Sequence, residues 1–254
     1  MDVTKALLIQ TAFIGDVVLT PPMIGAFKKN FSNSSLPVLV NPEAAALLRD
    51  NPAVHALLVI DKIGAHRGST GMWRMARQIR ERNFDVLLSP HRSHRTSFLA
   101  MLSGIPRRFG YEEAGLSRLA YTKRLGRMKD KPEIERLLLF LEESLGVDAE
   151  MYPRDLEIFV TDEARQEART LLQKVDAARP ILVAPSSVWP TKRWTPYGFA
   201  ELIGLLGDRF SRPVLLIGSK GDHGIGEEVL HFLKLMRPDW PGRRVHNVCG
   251  ATSL

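Results

Sequence analysis

The sequence has little cysteine: one residue, Cys249, in 254. An internal disulfide is excluded, a cysteine-based metal cluster has no ligands, and a reducing compartment suits the chain. Cys249 itself reads as a small buried apolar residue. Long apolar runs are missing too. None reaches the roughly 18 residues that span a bilayer, and no charged leader with an apolar segment opens the chain, so the cytoplasm is the expected compartment. No glycine-rich Walker loop and no Asp-x-Asp pair is present, and of the seven histidines only His91 and His94 lie close together. Metal-dependent chemistry therefore finds little support, and no metal ligands are expected. The arginines match no nucleic-acid reading motif and are not interleaved with aromatics, which argues against nucleic acid as a partner.

What is present is an ordinary globular composition, 44% hydrophobic, on a length that fits one large or two modest domains. The formal net charge is +7. It is unevenly spread: Lys62 to Arg136 holds 17 Lys and Arg against 7 Asp and Glu, an excess of +10 in the first half. Such a region is either a solvated surface or a match for an anionic membrane face or a phosphorylated or carboxylated substrate.

Apolar runs and turn signals alternate along the chain. Strands are expected at 5–10, 36–40, 56–60, 85–89 and 107–111, with helices at 42–50, 73–82 and 95–103 between them. That alternation implies a parallel sheet wound on both faces. A helix through 17–30 contains Pro21 and Pro22, so it starts later than Asp16 or bends there. Residues 112–131 are basic and poor in apolar runs, and read as a mobile excursion. A helix then covers 133–145, with Ile134, Leu137, Leu138, Leu141 and Leu145 on one face. Residues 152–160 read as a crossing segment, which puts one domain at 1–160 and a second at 161–254. The second opens on a helix capped by Thr161, then shows strands at 180–184, 214–217 and from 245, with helices at 196–210 and 225–236. Its sheet is expected to be incomplete, with one edge and one face uncovered.

Two loops hold candidate chemistry. In open α/β sheets ligands bind at the carboxyl ends of strands, where Gly15 and Asp16 of FIGD fall. Asp16 there is either a helix cap or a general base at a crevice. A hydrolase reading lacks a convincing second carboxylate for it. The later loop APSSVWPTKRW, between a strand and a helix, joins Ser186 and Ser187 to Lys192 and Arg193. Hydroxyls, backbone N–H groups, an ammonium and a helix N-terminus suit a diphosphate, and Lys192 suits the charge developing on a departing one. Trp189 and Trp194 fit packing better than base stacking.

FIGDVVLTPP followed by SSVWPTKRW resembles glycosyltransferase family 9, the ADP-heptose:lipopolysaccharide heptosyltransferases, and the type II enzymes more than the type I. SPHRSHRTSFLAMLSGIPRRFGY and EIERLLLFLEESLG extend the resemblance over essentially the whole chain. It implies an α/β GT-B fold of two Rossmann-like domains facing across a cleft, no cofactor or metal, and inversion at the sugar's anomeric carbon. Asp16 would be the base for the acceptor hydroxyl. Ser186, Ser187 and Lys192 would hold the ADP diphosphate of ADP-heptose, and Asp222 in GSKGD would meet the ribose, unless it is merely solvated. Arg92, His94 and Arg95 would face the anionic inner core of lipopolysaccharide, with peripheral contact at the inner face of the inner membrane. Family members run on into an acidic Ser/Gly loop of the form D-S-G-P that this sequence does not contain, so a C-terminally incomplete chain is expected. The alternative is a non-catalytic module that binds an anionic glycan or membrane surface through its basic half.

Overall fold

Ala6–Ile9 (β1) is a run of four fully buried apolar residues. The two-residue period of a strand sends Ala6 and Leu8 into one core and Leu7 and Ile9 into another. Val38–Val40 (β2), Leu57–Val59 (β3) and Val86–Ser89 (β4) follow, with Val38, Val40, Val86 and Leu88 in the first core and Leu39, Leu58 and Leu87 in the second. Burial on both faces is what a parallel sheet requires. The structure is a computed structural model that describes residues 3–148, 152–238 and 245–252. The chain divides into two units, one ending at Phe159 and the other starting at Val160.

In the first unit Arg107–Tyr111 (β5) and Lys123–Leu125 (β6) complete a six-stranded sheet ordered β3-β2-β1-β4-β5-β6, every pair parallel. Strand order reverses between β1 and β4, the point at which such a sheet opens a crevice at its carboxyl edge. Helices Ile14–Val18 (α1), Pro21–Asn30 (α2), Pro42–Leu48 (α3), Gly68–Arg80 (α4), His94–Leu102 (α5), Ser117–Ala120 (α6) and Glu133–Leu145 (α7) connect and cover it. One face takes Met23, Ile24 and Phe27 of α2 with Leu137, Leu138 and Leu141 of α7. The other takes Met72, Met75 and Ile79 of α4 with Leu99 of α5.

Three expectations change. The single helix through 17–30 is two: Pro21 and Pro22 open α2 at positions where the missing N–H has no partner to lose. The helix expected from 73 begins at Gly68. The segment 112–131 is not an excursion, because it carries α6 and the edge strand β6, which pairs Phe109 with Lys123 and Tyr111 with Leu125. Tyr121 ties it down. Its ring lies over Gly110, where a Cβ would overlap it, and its hydroxyl bonds Ser89 Oγ (3.1 Å) and Ser97 Oγ (3.2 Å).

In the second unit Ile181–Val183 (β7), Val214–Leu216 (β8) and Val245–Asn247 (β9) form a parallel sheet in sequence order. Asp162–Lys174 (α8) begins at Thr161, whose Oγ1 accepts from the Ala164 N–H at 3.1 Å. Pro196–Arg209 (α9) and His223–Met236 (α10) pack together and supply Ala200, Ile203, Val229 and Leu233 to the core over Val214 and Leu216. Leu215 points the other way, toward Leu171 and Leu172 of α8. Cys249 is buried, and burial raises its thiol. Among the described residues no helix is long and apolar enough to cross a membrane.

Candidate functional site

The carboxyl edge of the first sheet is built around the loop from β1 to α1. Asn41 Nδ2, just past β2, donates to the carbonyls of Thr11 (2.9 Å) and Ala12 (3.1 Å), and Lys62 Nζ, past β3, donates to Thr11 O (3.0 Å). Thr11 Oγ1 meets Thr96 Oγ1 at 3.1 Å, and Thr96 also meets His91 Nδ1 at 3.2 Å. Two strand ends and the first turn of α5 thus fix one loop, because each contributes a polar group that the parallel arrangement brings to the same edge.

That loop presents Asp16. The capping reading is corrected in position: Phe13 is the N-cap of α1, and Asp16 sits three residues on, its carboxylate taking a hydrogen bond from the Phe13 backbone. This is the reciprocal half of a capping box without the hydroxyl that makes the other half. Below it the buried Gln10 donates to Thr20 Oγ1 (3.2 Å), and Thr20 donates to the Asp16 carbonyl (3.0 Å). Asp16 is half-buried. Desolvation raises its carboxyl above the ordinary value and the Glu133 charge adds to this, against the Phe13 bond, Arg127 and Arg136.

Glu133, Arg127 and Arg136 form a cluster that sequence reasoning did not single out. Arg127 Nη2 lies 2.8 Å from Glu133 Oε2, and Arg136 Nη2 bonds the same oxygen. An acid in the first turn of a helix and an arginine after a short strand look like solvated surface, so nothing in their spacing marks them.

A cavity of about 380 Å³ adjoins the loop, lined by Thr11, Phe13, Asn41, Lys62, His91 and Ser93 among others. A wider one of about 710 Å³ lies on the other side of Lys62, walled by Arg67, Ser69, Met72, Arg95 and Phe98. Burial, with Arg95 nearby, lowers Lys62 to about 8. Burial, with Lys62 and Arg92 adding, lowers His91 to about 4, so His91 is neutral near pH 7. The three basic residues chosen from sequence are separated here. Arg95 lines the wider cavity, Arg92 is exposed beside His91, and the His94 ring turns against Gly115, where a Cβ would overlap it. Lys62 and Arg67 were missed because they sit in a loop with no motif, although both fall in the basic excess.

In the second unit Ser186 and Asp222 meet at the ends of β7 and β8. Ser186 Oγ donates to Asp222 Oδ1, while the Ser219 N–H (2.8 Å) and hydroxyl (2.6 Å) donate to Oδ2. These bonds, that from Ser186 foremost, hold the Asp222 carboxyl below its ordinary value, and Ser219 with Asp222 forms a complete capping box. Arg193 Nε donates to Ser187 O at 2.5 Å, and Ser187 Oγ accepts from the Trp189 N–H at 3.4 Å. Lys192 ends the 3-10 turn Pro190–Lys192 and is exposed. Trp194 packs edge-on against Phe199, ring centroids 5.3 Å apart. Ser186, Ser187 and Asp222 therefore share one strand-end cluster, with Arg193 as the cation bonded to it.

A family profile described as "Glycosyltransferase family 9 (heptosyltransferase)" matches residues 72–254. Lipooligosaccharide heptosyltransferase 2 of Haemophilus ducreyi is 26% identical over 263 residues, covering 98% of this chain and 72% of that one. Among solved structures, the glycosyl transferase family 9 from Veillonella parvula superposes with a TM-score of 0.80 at 22% identity over 100% of this chain and 72% of its own. The E. coli ADP-heptose lps heptosyltransferase II does so with a TM-score of 0.75 at 22% identity, over 98% and 74%. At that identity the structures bear on the fold, which is GT-B-like, with Rossmann-like parallel sheets in both units. With almost three quarters of its length inside the profile, the chain belongs to glycosyltransferase family 9, the heptosyltransferases.

Proposed function

We propose that the protein transfers heptose from ADP-heptose to the anionic inner core of a lipopolysaccharide by a single inverting displacement that uses no metal. Asp16 takes the proton of the acceptor hydroxyl as that oxygen attacks the anomeric carbon. The bond from this carbon to the diphosphate oxygen breaks, and ADP leaves with its electron pair. Lys192, Ser187 and the backbone around them hold the diphosphate, and Lys192 stabilises the charge that develops on it. Asp222 accepts from the ribose hydroxyls, sharing its carboxylate with Ser186 and Ser219. Lys62, Arg67 and Arg95 join Arg92 and His94 in receiving the phosphates or carboxylates of the acceptor. The first unit is then the acceptor domain and the second the nucleotide-sugar domain.

The observation that carries this reading is Asp16: a half-buried carboxylate at the strand-order switch, raised by desolvation, in the same short helix turn as Phe13 and Ile14, which line a cavity together with Lys62 and His91. A base needs that combination, and a purely structural cap does not. The basic cavity favours a second reading as well, a non-catalytic module for an anionic glycan or membrane surface. Calorimetric titration with ADP in the presence of EDTA separates the two. The transferase reading expects saturable, metal-independent binding that weakens in Lys192→Ala; absence of any saturable nucleotide site leaves only the surface binder.

A further inference from the structure

Arg127 and Arg136 each place a terminal nitrogen on the same oxygen, Oε2, of Glu133, and the three side chains are only 16–18% exposed. Arg127 leaves the end of β6, Glu133 opens α7, and Arg136 lies one turn on, so the sheet edge and the helix start meet at this carboxylate. All three charges act on Asp16 in α1. Two guanidinium groups with one carboxylate between them hold a surplus positive charge, and Arg136 Nε is buried without a hydrogen-bond partner. In a partly desolvated pocket an arginine pairs with whichever carboxylate is in reach. An arginine paired with Asp16 would stabilise the carboxylate and make it a poorer base.

We infer that Glu133 is a positioning residue for the transfer reaction: by occupying Arg127 and Arg136 with its own oxygen, it keeps both guanidinium groups off the Asp16 carboxylate and leaves that carboxylate free to take a proton. Glu133 is the carboxylate that bonds both guanidinium groups, and the other groups nearby are engaged differently. Glu113 accepts from the Arg127 backbone N–H, at 3.3 Å. The Tyr111 phenol, raised by burial, stays uncharged and donates to the Arg136 carbonyl at 3.5 Å. His91 is neutral near pH 7, Lys62 donates to Thr11 O, and Glu43 of α3 lines the smaller cavity on the Phe13 side.

The catalytic part of this inference rests on the transferase reading, and its electrostatic part does not. The test is carboxyl 13C NMR titration of Asp16 in the wild type, Glu133→Gln, Glu133→Asp and Glu133→Gln/Arg127→Met, each verified as folded by near-UV circular dichroism. The Asp16 midpoint is expected to fall in Glu133→Gln, to fall less in Glu133→Asp, whose shorter arm holds the arginines less well, and to recover in the double variant. In the transfer assay kcat of Glu133→Gln drops on the order of tenfold, its acid limb moves to lower pH, and KM for the donor is unchanged. A midpoint that stays put in every folded Glu133 variant overturns the inference, and Glu133→Asp decides alone if the Gln variant does not fold. Retained turnover in Asp16→Asn removes Asp16 from the role of base, and with it the catalytic part of the inference, and leaves the titration to judge the electrostatic part.

Discussion

Asp16 and Asp222 occupy the same local position in the two units. Each follows a parallel strand, each is the third residue of a helical turn, and each receives the backbone N–H of the residue that precedes the turn. Their carboxyls shift in opposite directions. Asp16 is raised, because burial outweighs a single hydrogen bond and Glu133 adds a like charge. Asp222 is lowered, because Ser186 and Ser219 supply further donors to a more exposed group. The backbone motif therefore does not decide the chemistry; the hydroxyls and charges around it do. One carboxylate is left hungry for a proton, which suits a base, and the other is satisfied as an anion, which suits a fixed acceptor for hydroxyl groups.

The largest expected effect is on Asp16. Asp16→Asn should lower the transfer rate by about 10²- to 10⁴-fold while ADP affinity stays near the wild-type value, as read by steady-state kinetics and calorimetry. Lys192→Ala comes next and affects the other unit, costing about 1.5–3 kcal/mol of ADP binding, the usual scale for a hydrogen bond to a charged group. Comparable ADP affinity in that variant would remove Lys192 from the donor site.

Thermal stability distinguishes the two aspartates by sign. A raised carboxyl penalises the folded state above the unfolded-state pKa, so Asp16→Asn should raise Tm at pH 7 and lose that advantage in acid. A lowered carboxyl stabilises the folded state above the unfolded-state pKa, and that stability is lost as pH falls through the lower folded pKa. Asp222→Asn should therefore lower Tm at pH 7, with the difference vanishing below the ordinary carboxylate range. Shifts of the same sign at pH 7 would break the comparison. The smallest effect is that of Ser219→Ala, which removes one donor to Asp222 and a capping hydroxyl. It should cost about 1 kcal/mol in denaturant unfolding and move Asp222 toward its ordinary value.

Much of the fold was legible because the parallel strands are buried on both faces and read as apolar runs. β4, β5 and α7 lie where those runs and the 3.6-residue period put them. β6 was not legible, since an edge strand of three residues with Lys123 and Arg124 exposed offers no apolar run and is set by its pairing with β5. Asp16 could be singled out by its place after β1, but its distinguishing partners come from α7 and the end of β6, more than a hundred residues on. The state of Asp222 was nearer the surface of the sequence: Ser219-Lys-Gly-Asp222 has the spacing of a capping box, a signal that reads directly as a carboxylate already engaged. FIGD, with phenylalanine in place of the hydroxyl residue, lacks that signal.

The most direct test of Asp16 as the base is the pH dependence of kcat/KM for heptose transfer, measured in the wild type and in Asp222→Asn. With Asp16 as the base, an acid limb is expected with its midpoint above the ordinary carboxylate value, at the same pH in both proteins even though the variant's kcat/KM is lower. An acid limb at or below that value, or one displaced by the change at Asp222, contradicts it.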